Sequence, residues 1–150
     1  MITVYFVQHG RALTKDIDKT RPLSDTGSDE VRKVAARLKN SNVSIQKIIH
    51  SGKLRAYQSA LIFAEVLGLD KVSETQGMNP NDVAEEFIKQ INEDAVMYIG
   101  HLPNIQNIVA NLVTSNQNNN VIKFQNSAVV CIEINEDESH INWFITPELC

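Results

Sequence analysis

Two histidines and an arginine in this sequence have the types and settings that phosphoryl chemistry needs. His9 precedes Gly10, His101 follows Gly100, and Arg55 closes the run His50-Ser51-Gly52-Lys53-Leu54-Arg55. A neutral imidazole is a competent nucleophile toward phosphorus and forms a covalent phosphohistidine. A guanidinium presents a planar fork that matches phosphate oxygens. A second histidine, His101, can donate to the same oxygens as charge develops on them. Gly10 is expected to let the backbone come close to a ligand. Amides opening a helix near Arg55 would add further donors.

Other chemistries fit these residues less well. His9, His50 and His101 have no carboxylate at ligand spacing, so no metal site and no cofactor are expected. Gly52-Lys53 lacks the glycine that a phosphate-binding loop places five residues earlier, since position 47 is lysine. Cys131 belongs to an apolar strand pattern and His140 to a polar turn, and both read as structural.

The reactive groups can act together only if the fold brings them to one edge. Residues 2–7 are β-branched and aromatic and lead into Gly10, which predicts a buried strand. Ser24 to Gly27 supplies capping residues. Val31, Val34, Ala35 and Leu38 then repeat at helical spacing as far as about Asn40. Residues 43–49 predict a second strand, ending at His50. A helix follows with Leu54, Tyr57, Leu61 and Ala64 on its apolar face and Gly68 as its stop.

Next come a short strand near Val72, a helix carrying Val83, Phe87, Ile88 and Ile91, and a strand over 95–99. Pro103 suits the first position of a fourth helix, which carries Ile105, Ile108, Val109, Leu112 and Val113. Residues 128–134 and 141–146 are two strands with no helix between them, hence a hairpin. Strands alternating with helices imply a three-layer α/β/α sandwich, its sheet mostly parallel with a C-terminal antiparallel hairpin. Ligands of such sheets bind beyond the carboxyl ends of the strands, where His9, Arg55 and His101 all fall.

Composition bounds the rest. At 150 residues the chain is expected to be a single domain, 1–150. It is 43% hydrophobic and 21% charged, which excludes disordered, collagen-like and coiled-coil classes. A net charge of −4 argues against nucleic acid as a partner, so an anion must be held by a local cluster of cations. The two cysteines form no CxxC pair, and the opening MITVYFVQHG fits neither a signal peptide nor a membrane span. A cytoplasmic protein with no membrane partner is expected.

Four motifs in order carry a family resemblance. They are Gln8-His9-Gly10, Arg21-Pro22-Leu23 before Ser24-Asp25-Thr26-Gly27, Ser51-Gly52-Lys53-Leu54-Arg55-Ala56-Tyr57-Gln58, and Gly100-His101-Leu102-Pro103. The chain resembles the histidine phosphatase superfamily, which includes the phosphoglycerate mutases, and within it the small SixA-type phosphohistidine phosphatases. The resemblance spans about residues 2–146. It implies His9 as the phosphoacceptor, Arg55 as a phosphate clamp, His101 as the second histidine and Arg21 as a further anion contact. It also implies a metal-independent phosphatase with an open site, whose partner is a phosphorylated protein or a small phosphorylated substrate.

Two departures from the family pattern bear on that expectation. Gln8 stands where the motif has arginine, and an amide donates hydrogen bonds without bringing charge. Arg11, and after it Lys53, could restore the lost charge. The acid that many members carry after the third strand is also missing from Thr75-Gln76-Gly77-Met78-Asn79-Pro80, the nearest acids being Glu74, Asp82 and Glu85. An imidazole leaving group needs less protonation than an alkoxide, so this absence favours a phosphohistidine substrate. A phosphatase of small phosphate monoesters and a non-catalytic phosphate-binding or interaction module remain the alternatives.

Overall fold

Val4 and Phe6 of the first strand belong to one buried cluster, and Tyr5 and Val7 to another. A strand buried on both faces requires a sheet covered on both sides. The computed structural model describes all 150 residues and has that arrangement. The chain runs β1 (Ile2–Gln8), α1 (Asp25–Asn40), β2 (Lys47–His50), α2 (Leu54–Leu67) and β3 (Val72–Glu74). It continues α3 (Ala84–Ile88), β4 (Val96–Gly100), α4 (Asn104–Thr114), β5 (Val129–Ile134) and β6 (Ser139–Ile145), then a 3-10 turn, Pro147–Leu149.

The six strands lie in the order β3-β2-β4-β1-β5-β6. The first four are mutually parallel. β5 runs antiparallel to β1, and β6 antiparallel to β5. Helices α1 and α2 supply Val31, Val34, Leu38, Ala60 and Phe63 to one cluster. Helices α3 and α4 supply Phe87, Ile105, Ile108 and Val109 to the other. This is the expected mixed α/β sandwich.

Helix α1 begins where Ser24 caps it, its Oγ accepting from Gly27 N–H at 3.0 Å. Asp25 in the first turn and Arg37 and Lys39 in the last suit the helix dipole. Two glycines set how closely α1 approaches the β1 loop. A methyl group at Gly27 would collide with the Arg11 carbonyl, and one at Gly10 would lie 2.7 Å from Val31 Cγ2.

Several local expectations need correction. The second strand starts at Lys47, not at 43, because Val43 N–H is spent on Leu38 O at the exit of α1. The buried residues of α2 are Ala56, Ser59, Ala60, Ile62, Phe63 and the expected Ala64, while Tyr57 and Leu61 are 42% and 43% exposed. Small residues there let α2 lie close to its neighbours, and size outweighs hydrophobicity. Helix α3 is only five residues long, with Val83 outside it and 60% exposed. Pro103 precedes α4 as its cap residue, and β6 begins at Ser139, two residues before the expected start.

Candidate active site

The parallel register pairs Gln8 with Gly100 and His50 with Ile99, so β1, β2 and β4 end together. The residues that follow each strand therefore meet at one edge. His9 and His101 are both buried, and their ring centroids are 4.8 Å apart. Arg55, in the first turn of α2, places Nε 3.3 Å from His9 Nε2.

The backbone around His9 is fixed on every side. Its N–H donates to Gly100 O at 3.2 Å. Its carbonyl accepts from Asn126 Nδ2 at 3.0 Å and from Ser127 N–H at 3.3 Å. Gly10 N–H donates to Ser59 Oγ at 2.9 Å. The ring is fixed as well, since His9 Nδ1 lies 2.7 Å from Gly10 O. A carbonyl can only accept, so Nδ1 carries the proton and Nε2 keeps its lone pair.

His101 is held by a different kind of partner. Its Nε2 lies 2.6 Å from Ser51 Oγ, and its Nδ1 is buried with no partner. A hydroxyl, unlike a carbonyl, can donate to an imidazole nitrogen. Where Nε2 accepts from Ser51, Nδ1 carries the proton and is left without a partner inside the protein. Gln8 Oε1 and Ser127 Oγ are also buried without partners, and Ser127 N–H donates to Gln8 O at 2.9 Å. Such groups are scarce in folded proteins and mark this edge as unusual.

Electrostatics keeps both rings neutral. Burial lowers the His9 pKa to about 4, with Arg55 and Arg21 adding to the effect against the opposing bond to Gly10 O. Burial lowers His101 to about 3, helped by His9, Arg55, Lys53 and Arg21 in turn. At neutral pH His9 thus holds an unprotonated nitrogen beside fixed positive charge, as a phosphorus nucleophile requires.

Arg21 and Arg55 line a cleft of about 580 Å³ with Lys15, Lys19, Lys53, Asn79 and Asp82. Arg21 sits in a left-handed conformation at φ 49°, with Nε donating to Leu13 O at 3.0 Å. Asp82 is the one of the three nearby acids that lines this cleft, its Oδ2 accepting from Asn79 N–H at 2.9 Å. Glu74 lines a neighbouring cleft with Ser51. No three His, Cys, Asp or Glu side chains converge to hold a metal ion.

The structure thus brings His9, His101, Arg55 and Arg21 together. It does not bring Arg11 to them. The Arg11 Nε is bound to Glu30 Oε1 at 2.7 Å, and the side chain is 62% exposed. Gly10 also departs from expectation. Val31 and Leu23 fill the space beside it, so its lack of a side chain serves packing of α1 rather than approach of a ligand. Sequence reasoning did not single out Ser51, Ser59, Asn126 or Ser127. Ser59 lies one helical turn after Arg55 and donates to Arg55 O at 2.7 Å, a spacing that could have been read. Asn126 and Ser127 precede β5 and carry no motif.

Comparison with known proteins gives consistent results. Residues 4–79 match the family model of the histidine phosphatase superfamily (branch 1). The phosphohistidine phosphatase SixA of Escherichia coli (strain K12) is 29% identical over 153 residues, covering 96% of this chain and 93% of that protein. A solved structure of the protein histidine phosphatase SixA complexed with tungstate superimposes with a TM-score of 0.86 at 26% identity, covering 99% of both chains. A phosphoserine phosphatase from Entamoeba histolytica in complex with phosphoserine shares the fold, with a TM-score of 0.74 at 13% identity, covering 99% of this chain and 98% of that one.

Proposed function

The chain belongs to the histidine phosphatase superfamily, branch 1, and within that family we propose that it is a phosphohistidine phosphatase. The observation that carries the reading is the state of His9. It is buried and neutral, its Nδ1–H is committed to Gly10 O, and its Nε2 lone pair faces Arg55. In the proposed reaction Nε2 attacks the phosphorus of a phosphorylated histidine on a partner protein. The new N–P bond forms as the substrate N–P bond breaks, and the substrate ring, already protonated on its other nitrogen, leaves as neutral imidazole while the phosphorylated His9 ring becomes the cation. Water then attacks the phosphohistidine, releasing inorganic phosphate and restoring His9 to its neutral form. Arg55 and Arg21 balance the phosphoryl oxygens throughout, and His101 donates from Nδ1 as charge builds on them.

The similarity to a named phosphohistidine phosphatase supports the substrate class. The bound tungstate of the related structure supports a site for a phosphoryl group, since tungstate is a tetrahedral oxyanion like phosphate. The reading needs no metal, and activity is expected to persist after dialysis against EDTA. Loss on chelation that a divalent ion restores would overturn it. No helix is long and apolar enough to cross a membrane. A cytoplasmic setting goes with the reading, supported by free Cys131 and Cys150.

Hydrolysis of small phosphate monoesters is the second reading, favoured by one observation. Asp82 lines the same cleft as Arg55, where a carboxylic acid could protonate an alkoxide. Turnover of a histidine-phosphorylated protein against that of phosphoserine decides between the two. Acid-labile phosphate trapped on His9 during turnover is the expected result. A protein that never becomes phosphorylated there is a binding module instead.

A further inference from the structure

The cleft holds more positive charge than one phosphoryl group needs. Arg21 and Arg55 act on both histidines and Lys53 on His101, yet Lys15 and Lys19 line the same cleft. None of the five cations has an ion-pair partner, although the whole chain carries a net charge of −4. The positive charge is therefore sorted to this place.

The loop that carries it shows how the sorting is built. The Ala12–Leu23 bridge and the bond from Leu13 N–H to Pro22 O at 2.8 Å close its base. Lys15, Lys19 and Arg21 line the cleft, while Asp16 and Asp18 do not. Asp18 accepts from Thr20 N–H at 2.9 Å and from Thr20 Oγ1 at 2.7 Å, which favours the ionised carboxylate and holds it within the loop, away from the cleft. The carboxylate of Asp16 is likewise engaged by the Thr14 side chain. Ile17, 69% exposed, lies between the two lysines. An exposed isoleucine on the same loop as these lysines suits contact with a protein surface and does nothing for a free anion.

We infer that Lys15 and Lys19 form a docking shelf for an acidic face of the protein that carries the phosphohistidine. The inference rests on the phosphohistidine reading above and narrows its substrate class to acidic phosphoproteins. A cleft lined by five cations against the single carboxylate of Asp82 attracts an acidic partner by long-range steering, an effect that raises association rates by about 10- to 1000-fold. Charges at the rim of an interface act mainly on that rate and on its salt dependence.

The test compares wild type with Lys15→Glu/Lys19→Glu on two substrates, a small acidic protein phosphorylated on histidine and phosphoramidate. The expected loss of kcat/KM on the phosphoprotein is about tenfold or more, carried by KM, with its salt dependence flattened. Turnover of phosphoramidate, which brings no acidic face, stays within about twofold. Equal losses on both substrates, or none on the phosphoprotein, would overturn the inference. Lys15→Gln/Lys19→Gln repeats the comparison if charge reversal perturbs the fold.

Binding of the fluorescently labelled phosphoprotein to the His9→Ala protein supplies a readout independent of turnover. If wild type hydrolyses neither substrate, the phosphatase reading fails. Salt-sensitive binding that the lysine substitutions abolish would still support the shelf, and binding indifferent to them would overturn it. Stronger association with phosphatidylserine vesicles than with the acidic protein would also overturn it, in favour of a lipid surface.

Discussion

At the scale of single residues, the two histidines differ through what holds them. A carbonyl forces the proton of His9 onto Nδ1, and a serine hydroxyl lets His101 carry its proton on the unpartnered Nδ1. His9→Ala is expected to abolish turnover while circular dichroism stays native, and His101→Ala to cost about 100-fold, as loss of an oxyanion donor does. Ser51→Ala frees His101 to adopt the other tautomer and should lower kcat about tenfold, the loss of one bond to a buried group. Ser51→Thr should restore most of it and return the pH profile of kcat to the wild-type form, which repacking alone would not do. Gln8→Arg should raise activity by about 5- to 30-fold, because a charged donor binds phosphate more strongly than an amide. Arg11→Ala should change kcat/KM by less than about twofold, as for an exposed ion pair, and combine additively with Gln8→Arg. The meeting of His9, His101, Arg55 and Arg21 at one sheet edge was legible from residue type beside glycine and from motif order. The partners that fix their protons were not, because tautomers depend on atoms brought near by folding.

At the scale of elements, the order of strands and helices follows from apolar periodicity, whereas their contact faces depend on shape. Helix α2 illustrates the difference. Its large apolar residues Tyr57 and Leu61 stay half-exposed while Ala56 and Ala60 are buried. Periodicity weighs hydrophobicity and misses the preference for small groups where backbones approach. The same closeness governs the loop after β1, where Gly10 and Gly27 leave no room for a methyl group. Gly27→Ala would push the Arg11 carbonyl away from α1 and should destabilise the protein by about 1–3 kcal/mol, the usual cost of overpacking. Urea denaturation would measure that loss, and a midpoint equal to wild type would show that the loop yields freely. Activity should fall as well, since the displaced loop leads directly from His9.

At the scale of the whole molecule, burial of two neutral histidines ties stability to pH. Their folded pKa values, about 4 and about 3, lie below the ordinary 6.5. The unfolded chain therefore binds protons first as the solution is acidified. This contribution to stability is complete above pH 6.5 and falls progressively below it, through the folded values. The melting temperature should drop across that window, and His9→Asn/His101→Asn should flatten the drop. A slope unchanged by the double substitution would place the acid sensitivity elsewhere. The position of β1 has a different consequence, one of timing. It lies between β4 and β5, and its partner β5 comes more than a hundred residues later. Asn126 and Ser127, which clasp the His9 carbonyl, arrive just ahead of that strand. A ribosome thus releases His9 almost at once but its clasp only near the finish. Contacts this distant in sequence close slowly, and until they close β1 has an unpaired flank. Reactivity therefore cannot precede completion of the sheet, and a chain halted before residue 126 would expose a sticky strand in place of a working site.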